Sequence, residues 1–371
     1  MSDKDRRALL WLTCAAVCWR WLVAVRTPLV GVDASRDLWL AERLADGDLG
    51  ALAARWWQPL HGLLMAPALA FGATPFATAQ VVACLLGGLA VLPTAFAAER
   101  LRAGAGVPAA AVAMVAAGAV VAAGAGGSAA TTTLLVASAW WAFAARRLVL
   151  AAGLAVLAAG SGLDQVATHA PSALDATRIG LGAGAFGLAF LLPTAWRSAR
   201  TPALVLSVLV VVAAVTGTSA TLLPSHQPLL AILVGVGMAG LHVRVRDLLL
   251  CAIVAVECHA GWFLVEPAAA VTERIVPRLM LRRLDAGSQQ LVATLPRVRW
   301  AAGQDPDARP EPLVTRALAA DVAVVVLTEA EARDASLRAS LASRFERASL
   351  PADLQELTDE HGLVVLQRRD D

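Results

Sequence analysis

The stretch Val30-Gly-Val-Asp33-Ala-Ser-Arg36-Asp37-Leu-Trp-Leu-Ala-Glu42-Arg43-Leu-Ala decides the fold of this chain, because it is the first long polar interruption in an otherwise apolar sequence. It follows an apolar run, residues 8–30, that is long enough to cross a hydrocarbon core of about 30 Å. The same loop continues through Arg55-Trp56-Trp57-Gln58-Pro59-Leu-His61. A polar loop directly after a first apolar helix makes residues 31–75 the candidate functional region.

The composition is that of a membrane protein. Hydrophobic residues make up 58% of the 371 residues and charged residues 16%, with a mean hydropathy of +0.65, whereas soluble chains are nearer half apolar and a quarter charged. The net charge is +2, and the arginines fall in short clusters that give no basic face for nucleic acid. Lys4 is the only lysine, so the chain has no phosphate-binding loop that ends in Lys-Ser or Lys-Thr.

The apolar runs predict a polytopic α-helical membrane protein. About nine runs approach the length of roughly 20 residues that a transmembrane helix needs. These runs cover residues 8–30, 76–98, 107–124, 129–145, 148–163, 179–196, 203–220, 228–241 and 248–265. Residues 1–266 are therefore predicted to form a transmembrane domain.

The loops between the runs predict an orientation. Positive charge concentrates in alternate turns, at Lys4, Arg6, Arg7, Arg100, Arg102, Arg146, Arg147, Arg197, Arg200, Arg244 and Arg246. The opposite turns carry Asp33, Asp37, Asp164, His169, Asp175 and His226, with few arginines. Because cytoplasmic loops are enriched in Lys and Arg, we expect a multi-pass protein of the cytoplasmic (inner) membrane with its N-terminus inside and the first loop outside.

Two further regions have their own patterns. Leu38, Ala41 and Leu44 recur at helical spacing, which predicts a helix that lies in the membrane interface, and residues 59–71 predict a second short helix that returns toward the bilayer.

After Pro267, β-like runs at residues 290–295, 321–328 and 363–367 alternate with helical stretches such as residues 329–346. Residues 267–371 are therefore predicted to form a small soluble α/β domain on the outer face.

Four segments of the first loop resemble motifs of one family. They are Gly31-Val-Asp33, Leu40-Ala-Glu-Arg-Leu44, Trp57-Gln-Pro59-Leu-His61 and Leu63-Leu-Met-Ala-Pro67. In this order they resemble the integral-membrane GT-C glycosyltransferases, the superfamily of protein O-mannosyltransferases and lipid A aminoarabinose transferases (glycosyltransferase family 39-like). A later segment, Leu222-Leu-Pro224-Ser-His226-Gln-Pro228, is similar to a Leu-Leu-Pro segment of that family.

The resemblance implies an enzyme that transfers a sugar from a polyprenyl-phosphate donor to a lipid, glycan or protein acceptor at the outer face of the membrane. Asp33 takes the place of the motif acid and is the expected base for the acceptor hydroxyl. The acid that often follows it in the family is Ala34 here, and Asp37, one helical turn later, is the nearest replacement. The phosphate needs a cationic or metal partner, so a divalent cation, Mg²⁺ or Mn²⁺, stays open as a cofactor with no metal ligands assigned. The expected substrate contacts are Arg36, Arg55, Trp57, His61, Arg178 and His226.

Other interpretations stay open at this stage. Asp33 could simply cap the helix that begins at Ala34, Arg36 and Asp37 could form a solvated interfacial face, and Trp57 could anchor the interface among membrane lipids. The whole chain could be a catalytically degenerate GT-C-like protein that binds a lipid-linked sugar or a partner subunit. A secondary transporter would require internal repeats with helices broken at matching positions, and the sequence has no convincing repeat.

Overall fold

A computed structural model describes residues 1–26, 32–54, 59–116, 120, 126–162, 227–263, 290–306, 313–319, 321–350, 352, 355, 358 and 363–369. Over these residues the chain is mostly helical. The helices of the N-terminal part are α1 Asp3–Arg26, α2 Val32–Ala45, α3 Gly50–Ala54, α4 Leu60–Ala70, α5 Pro75–Leu89, α6 Val91–Leu101, α7 Gly106–Val115, α8 Ala129–Ala144, α9 Leu148–Gly162, α10 Gln227–Met238 and α11 Val243–Phe263.

Among the residues that the structure describes, two helices are long and apolar enough to cross a membrane. They are Asp3–Val25 and the continuous pair α5–α6, Pro75–Leu101. Five shorter apolar helices, α4, α7, α8, α9 and α10, fall below the roughly 20 residues that a span needs. The described residues of the other predicted apolar runs are mostly helical, whereas residues 179–196 and 203–220 lie outside the described ranges. The structure therefore supplies two candidate membrane-spanning helices, and the nine-span topology stays a prediction.

Small residues let the N-terminal helices approach closely. A Cβ atom at Gly88 of α5 would collide with Val17 of α1, and one at Gly235 of α10 would lie 2.6 Å from the Cβ of Ala109 in α7 and 2.7 Å from the carbonyl of Ala105. Alanine lines the same contacts, with Ala109 and its neighbours buried beneath α10. Close backbone approach at Gly and Ala lets neighbouring helices make van der Waals contact along these faces.

A buried arginine closes the end of α7. The Arg20 guanidinium of α1 donates to the carbonyls of Ala113 and Met114 at 3.0 Å each and to the carbonyl of Ala16 at 3.2 Å. The carbonyls of Ala113 and Met114 belong to the last turn of α7, which ends at Val115. The last carbonyls of a helix lack intrahelical partners and carry partial negative charge, so a cation stabilises this buried helix end.

The helices of the first loop are packed against protein. Leu38 and Ala41 of α2, both predicted to face the membrane interface, are buried against Met65 of α4 and Trp300 of the C-terminal part. The prediction of a helix over this stretch is confirmed, but its apolar stripe is covered by protein and not by lipid. The second predicted helix corresponds to α4, and the short helix α3 was not predicted.

The C-terminal part contains a four-stranded mixed sheet in the order β1-β2-β4-β3. β1 pairs parallel with β2, while β4 pairs antiparallel with both β2 and β3. Side chains of β2 alternate between the two faces, with Val324 and Val326 in one buried cluster and Val325 and Leu327 in the other. The elements are β1 Leu291–Ala293, α12 Pro296–Ala301, α13 Leu313–Ala317, β2 Val324–Thr328, α14 Glu329–Arg333, α15 Ala335–Ala342, β3 Phe345–Arg347 and β4 Leu363–Arg368.

The predicted helix over residues 329–346 is wrong at two points. It is interrupted at Asp334, whose carboxylate accepts from the N–H groups of Ser336 and Leu337 and so caps a new helix, α15. Its last residues form β3, because Phe345 and Glu346 pair with β4. The other three strands lie within or next to their predicted segments. Short strands such as β3 have too few residues to show a period in the sequence.

The glycine contacts predict opposite effects of adding one methyl group. We expect Gly235→Ala to lower the free energy of unfolding by about 1–3 kcal/mol, because the new Cβ overpacks the contact with α7. Gly153→Ala in α9 is the matched control, since its Cβ would meet nothing within 4 Å and alanine favours a helix over glycine. Thermal unfolding of the purified protein in detergent measures both. Equal melting temperatures for the two variants would contradict the close α7–α10 contact.

Candidate functional site

The helix α2 carries the acidic motif and lies where three parts of the chain meet. It contacts α4 and α5 in the N-terminal part and α12 in the C-terminal part. Asp33 lies in its first turn and Asp37 one turn later, and the described side chains of α2 begin at Ala34. The structure therefore confirms that the motif acids share one helix.

Asp37 is a buried acid at the start of another helix. Its side chain is 3% exposed, and its Oδ2 accepts the backbone N–H of Ser128 at 3.0 Å. Ser128 immediately precedes α8, where unpaired N–H groups carry partial positive charge. A carboxylate at this position stabilises the helix start, so the interpretation of Asp37 as part of a solvated face is wrong.

His61, in the first turn of α4, binds residues around the start of α8 as well. Its Nε2 lies 3.2 Å from the carbonyl oxygen of Gly126 and its Nδ1 lies 2.8 Å from the Thr131 hydroxyl. A carbonyl only accepts, so Nε2 carries the proton and Nδ1 accepts from Thr131. Burial lowers the pKa of His61 from 6.5 to about 4. His61 is therefore a neutral ring with both nitrogens occupied.

These five residues, Asp37, His61, Gly126, Ser128 and Thr131, form what we name the α8-start cluster. Gly126 adopts a left-handed φ of +72°, which favours glycine, and its Cβ would lie 3.1 Å from that of Ala79. The bonds of Asp37 and His61 join α2 and α4 to the turn before α8. The cluster fixes the acidic helix by hydrogen bonds that are buried and directional.

The C-terminal part touches α2 directly. The indole Nε1 of Trp300, in α12, donates to Oε2 of Glu42 at 3.3 Å. Trp300 is 3% exposed, and with Ala301 it packs against Leu38 and Ala41. A tryptophan that is buried and also hydrogen-bonded makes a specific contact, so α2 is packed against α12 of the C-terminal part.

Of the remaining predicted site residues, one lies in the described part of the chain. Arg36 is half-buried in α2, whereas Arg55, Trp57, Arg178 and His226 lie outside the described residues. Within the described ranges, no group of three His, Cys, Asp or Glu side chains could hold a metal ion.

Sequence reasoning missed several partners of the site. Ser128 and Thr131 stand in an apolar context after a Gly-Gly pair, and a serine just before an apolar run is a known helix-start signal. Nothing in the sequence links Trp300 to Glu42.

No protein-family model, curated protein or solved structure matches the chain.

Removing the Asp37 carboxylate should destabilise the protein. We expect Asp37→Ala to lower the free energy of unfolding by about 1.5–3 kcal/mol, because the Ser128 N–H loses a charged acceptor in a buried place. Asp37→Asn keeps a side-chain oxygen that can accept from the Ser128 N–H, so it should lower the free energy of unfolding by less. The control is Asp46→Ala, which removes an exposed carboxylate just after α2 and should leave the melting temperature unchanged. A melting temperature for Asp37→Ala equal to that of the control would argue against the bond.

The buried His61 predicts a pH dependence of stability. Its pKa in the folded protein, about 4, lies below its ordinary value of 6.5, so acid protonates the unfolded chain first. The stabilisation is complete above 6.5 and is lost as the pH falls toward 4. We expect the melting temperature of the wild type to fall more steeply below pH 6.5 than that of His61→Gln. Parallel curves of melting temperature against pH for the two proteins would show that His61 is not buried in its neutral form.

Proposed function

We propose that this chain is a membrane glycosyltransferase with a GT-C-like arrangement. It transfers a sugar from a polyprenyl-phosphate donor to a lipid, glycan or protein acceptor at the outer face of the cytoplasmic membrane. The observation that carries the proposal is the position of α2: the helix with the motif acids follows the first span-length helix and is held by α4, the start of α8 and the C-terminal part.

The contact between Trp300 and Glu42 supports the proposed topology. Two groups joined by a hydrogen bond lie on the same side of a membrane, so this contact supports a proposal in which the first loop and the C-terminal part share one compartment. The eight apolar runs predicted between them bring the chain back to the side on which the first loop lies. This agrees with an N-terminus inside and a C-terminal domain outside.

In the proposed reaction, Asp33 is the base. Its carboxylate removes the proton from the acceptor hydroxyl while that oxygen forms a bond to the anomeric carbon of the donor. The bond between the anomeric carbon and the phosphate oxygen breaks, and the polyprenyl phosphate leaves with the electron pair. One base is sufficient for such an inverting displacement, because phosphate is a good leaving group and no glycosyl-enzyme intermediate is needed.

Asp37 and His61 act as positioning residues in this proposal. Asp37 binds the Ser128 N–H, and both His61 nitrogens are bonded to protein. They hold the helix on which Asp33 stands, and a base is effective only when it is held within hydrogen-bond reach of its proton. The earlier expectations, a catalytic Asp37 and a substrate contact for His61, are replaced here by this positioning role.

The leaving phosphate requires positive charge, and arginine binds phosphate through paired N–H groups. Arg36, in the same helix as Asp33, is the described candidate, and Arg55 and Arg178 are the others. Trp57 and His226 remain proposed contacts of the sugar or the acceptor. These assignments follow the resemblance of the first loop to the GT-C motifs.

A second candidate function is favoured by one observation. Two of the polar motif residues, Asp37 and His61, are fully buried and bonded within the protein, as in a protein that keeps the fold of a transferase without its reaction. Such a chain would bind a lipid-linked sugar, or a partner subunit, and transfer nothing.

The test is sugar transfer by the purified protein in lipid vesicles. Polyprenyl-phosphate hexoses and pentoses carry a radiolabel, and transfer is measured into the lipid and protein fractions of membranes from the source cells. We expect Asp33→Asn to lower the rate at least about 100-fold, since general-base catalysis contributes about 10²–10⁴. The matched control Asp46→Asn, a carboxylate just after the same helix, should transfer at the rate of the wild type.

The outcomes separate the two candidates. Equal transfer by wild type and Asp33→Asn would remove Asp33 from the mechanism. Binding of a labelled donor without transfer by any variant would favour the degenerate interpretation. Neither binding nor transfer across the donor panel would contradict both.

A further inference from the structure

A shallow, open groove runs along one face of α9 beside its junction with α8, and the residues that line it all belong to α9 or to the two arginines before it. Arg146 adopts a left-handed φ of 58° at the junction, and α9 then packs back against α8. The groove has a volume of about 980 Å³, and its walls are almost entirely apolar. We name it the α9 groove; Val149, Gly153 and Val156 line it, and Arg146 and Arg147 stand at one end.

The walls of the α9 groove are exposed hydrocarbon. Leu148 is 63% exposed, Val149 89% and Val156 72%. Gly153 forms an open part of the groove, because a Cβ at this position would meet nothing within 4 Å. An exposed apolar surface of this extent marks a place where a protein meets an apolar partner or lipid.

The arginine end of the groove carries concentrated positive charge. In the described part of the chain, neither Arg146 nor Arg147 forms an ion pair with a carboxylate. The Arg147 guanidinium lies 5.7 Å from the centre of the Trp141 ring, a cation–π distance that holds it without neutralising it. The N-terminus of α9 lies at the same end and adds partial positive charge.

We infer that the α9 groove binds an anionic phospholipid. One acyl chain lies along α9 over Gly153, and the phosphate is held between Arg146 and Arg147, because guanidinium groups bind phosphate through strong, charge-assisted hydrogen bonds. A groove with hydrocarbon walls and two cations at one end matches the two halves of such a lipid. The inference requires membrane placement only and does not depend on the proposed sugar transfer.

The arginine pair belongs to a turn predicted to face the cytoplasm, opposite the loop with Asp33. The lipid bound there is therefore a component of the inner leaflet and a different molecule from the proposed sugar donor. Clusters of arginine beside a membrane helix attract anionic headgroups in this leaflet. The α9 groove adds a defined binding place for the acyl chain of this lipid.

The experiment is native mass spectrometry of the full-length protein in detergent, with phosphatidylglycerol or phosphatidylcholine of identical chains added. We expect the wild type to retain phosphatidylglycerol about tenfold more than phosphatidylcholine, and Arg146→Gln/Arg147→Gln to lose this preference. Gly153→Leu places a side chain in the groove and should lower retention of phosphatidylglycerol with both arginines present. Gly153→Ala, which leaves most of the groove open, should retain it.

Arg244→Gln/Arg246→Gln is the matched charge control, since it removes two arginines from another turn predicted to face the cytoplasm. Loss of preference in this control equal to that of the Arg146/Arg147 variant would overturn the inference in favour of general surface attraction. Full retention by Gly153→Leu would also overturn it. Displacement of the lipid by an equal concentration of glycerol phosphate would identify a site for free phosphate instead. A melting temperature measured for each variant shows whether it is folded. If Gly153→Leu does not fold, the Arg146→Gln/Arg147→Gln variant still tests the site.

Discussion

Buried helix ends impose the constraint on which the rest of this structure depends. An α-helix that begins or ends inside an apolar body leaves N–H or C=O groups without partners, and each such group needs a charged or polar neighbour. Here Arg20 of α1 binds the last carbonyls of α7, and Asp37 of α2 binds an N–H at the start of α8. Two oppositely charged side chains, one from α1 and one from α2, thus stabilise the end of α7 and the start of α8.

This arrangement joins the stability of the core to the candidate site. The carboxylate that stabilises the start of α8 belongs to the helix that carries Asp33, and His61 adds a second tie through Gly126 and Thr131. Because the bonds are buried and directional, α2 has little freedom to shift relative to α8. A site built on such an element is held more precisely than one built on an open loop.

The sequence predicts local features well and distant partners poorly. Apolar runs predicted α1 and the described helices from α4 to α11, since periodicity and length are properties of neighbouring residues. The stripe with Leu38 and Ala41 predicted an apolar surrounding but could not distinguish lipid from Met65 and Trp300, because both are apolar. Asp37 and Ser128 are 91 residues apart, and His61 and Thr131 are 70 apart. Such pairings are fixed by how the helices assemble, which no local pattern specifies.

The hydrogen bond between Glu42 and Trp300 spans 258 residues of sequence, and this separation affects how the protein is made. A ribosome completes α2 long before it reaches α12, so Leu38 and Ala41 lack part of their covering while the intervening helices are synthesised. The C-terminal part, which is made after the intervening helices, supplies the tryptophan that covers this surface. Assembly of the acidic helix is therefore a late event in biogenesis, and an incomplete chain carries it in an unfinished form.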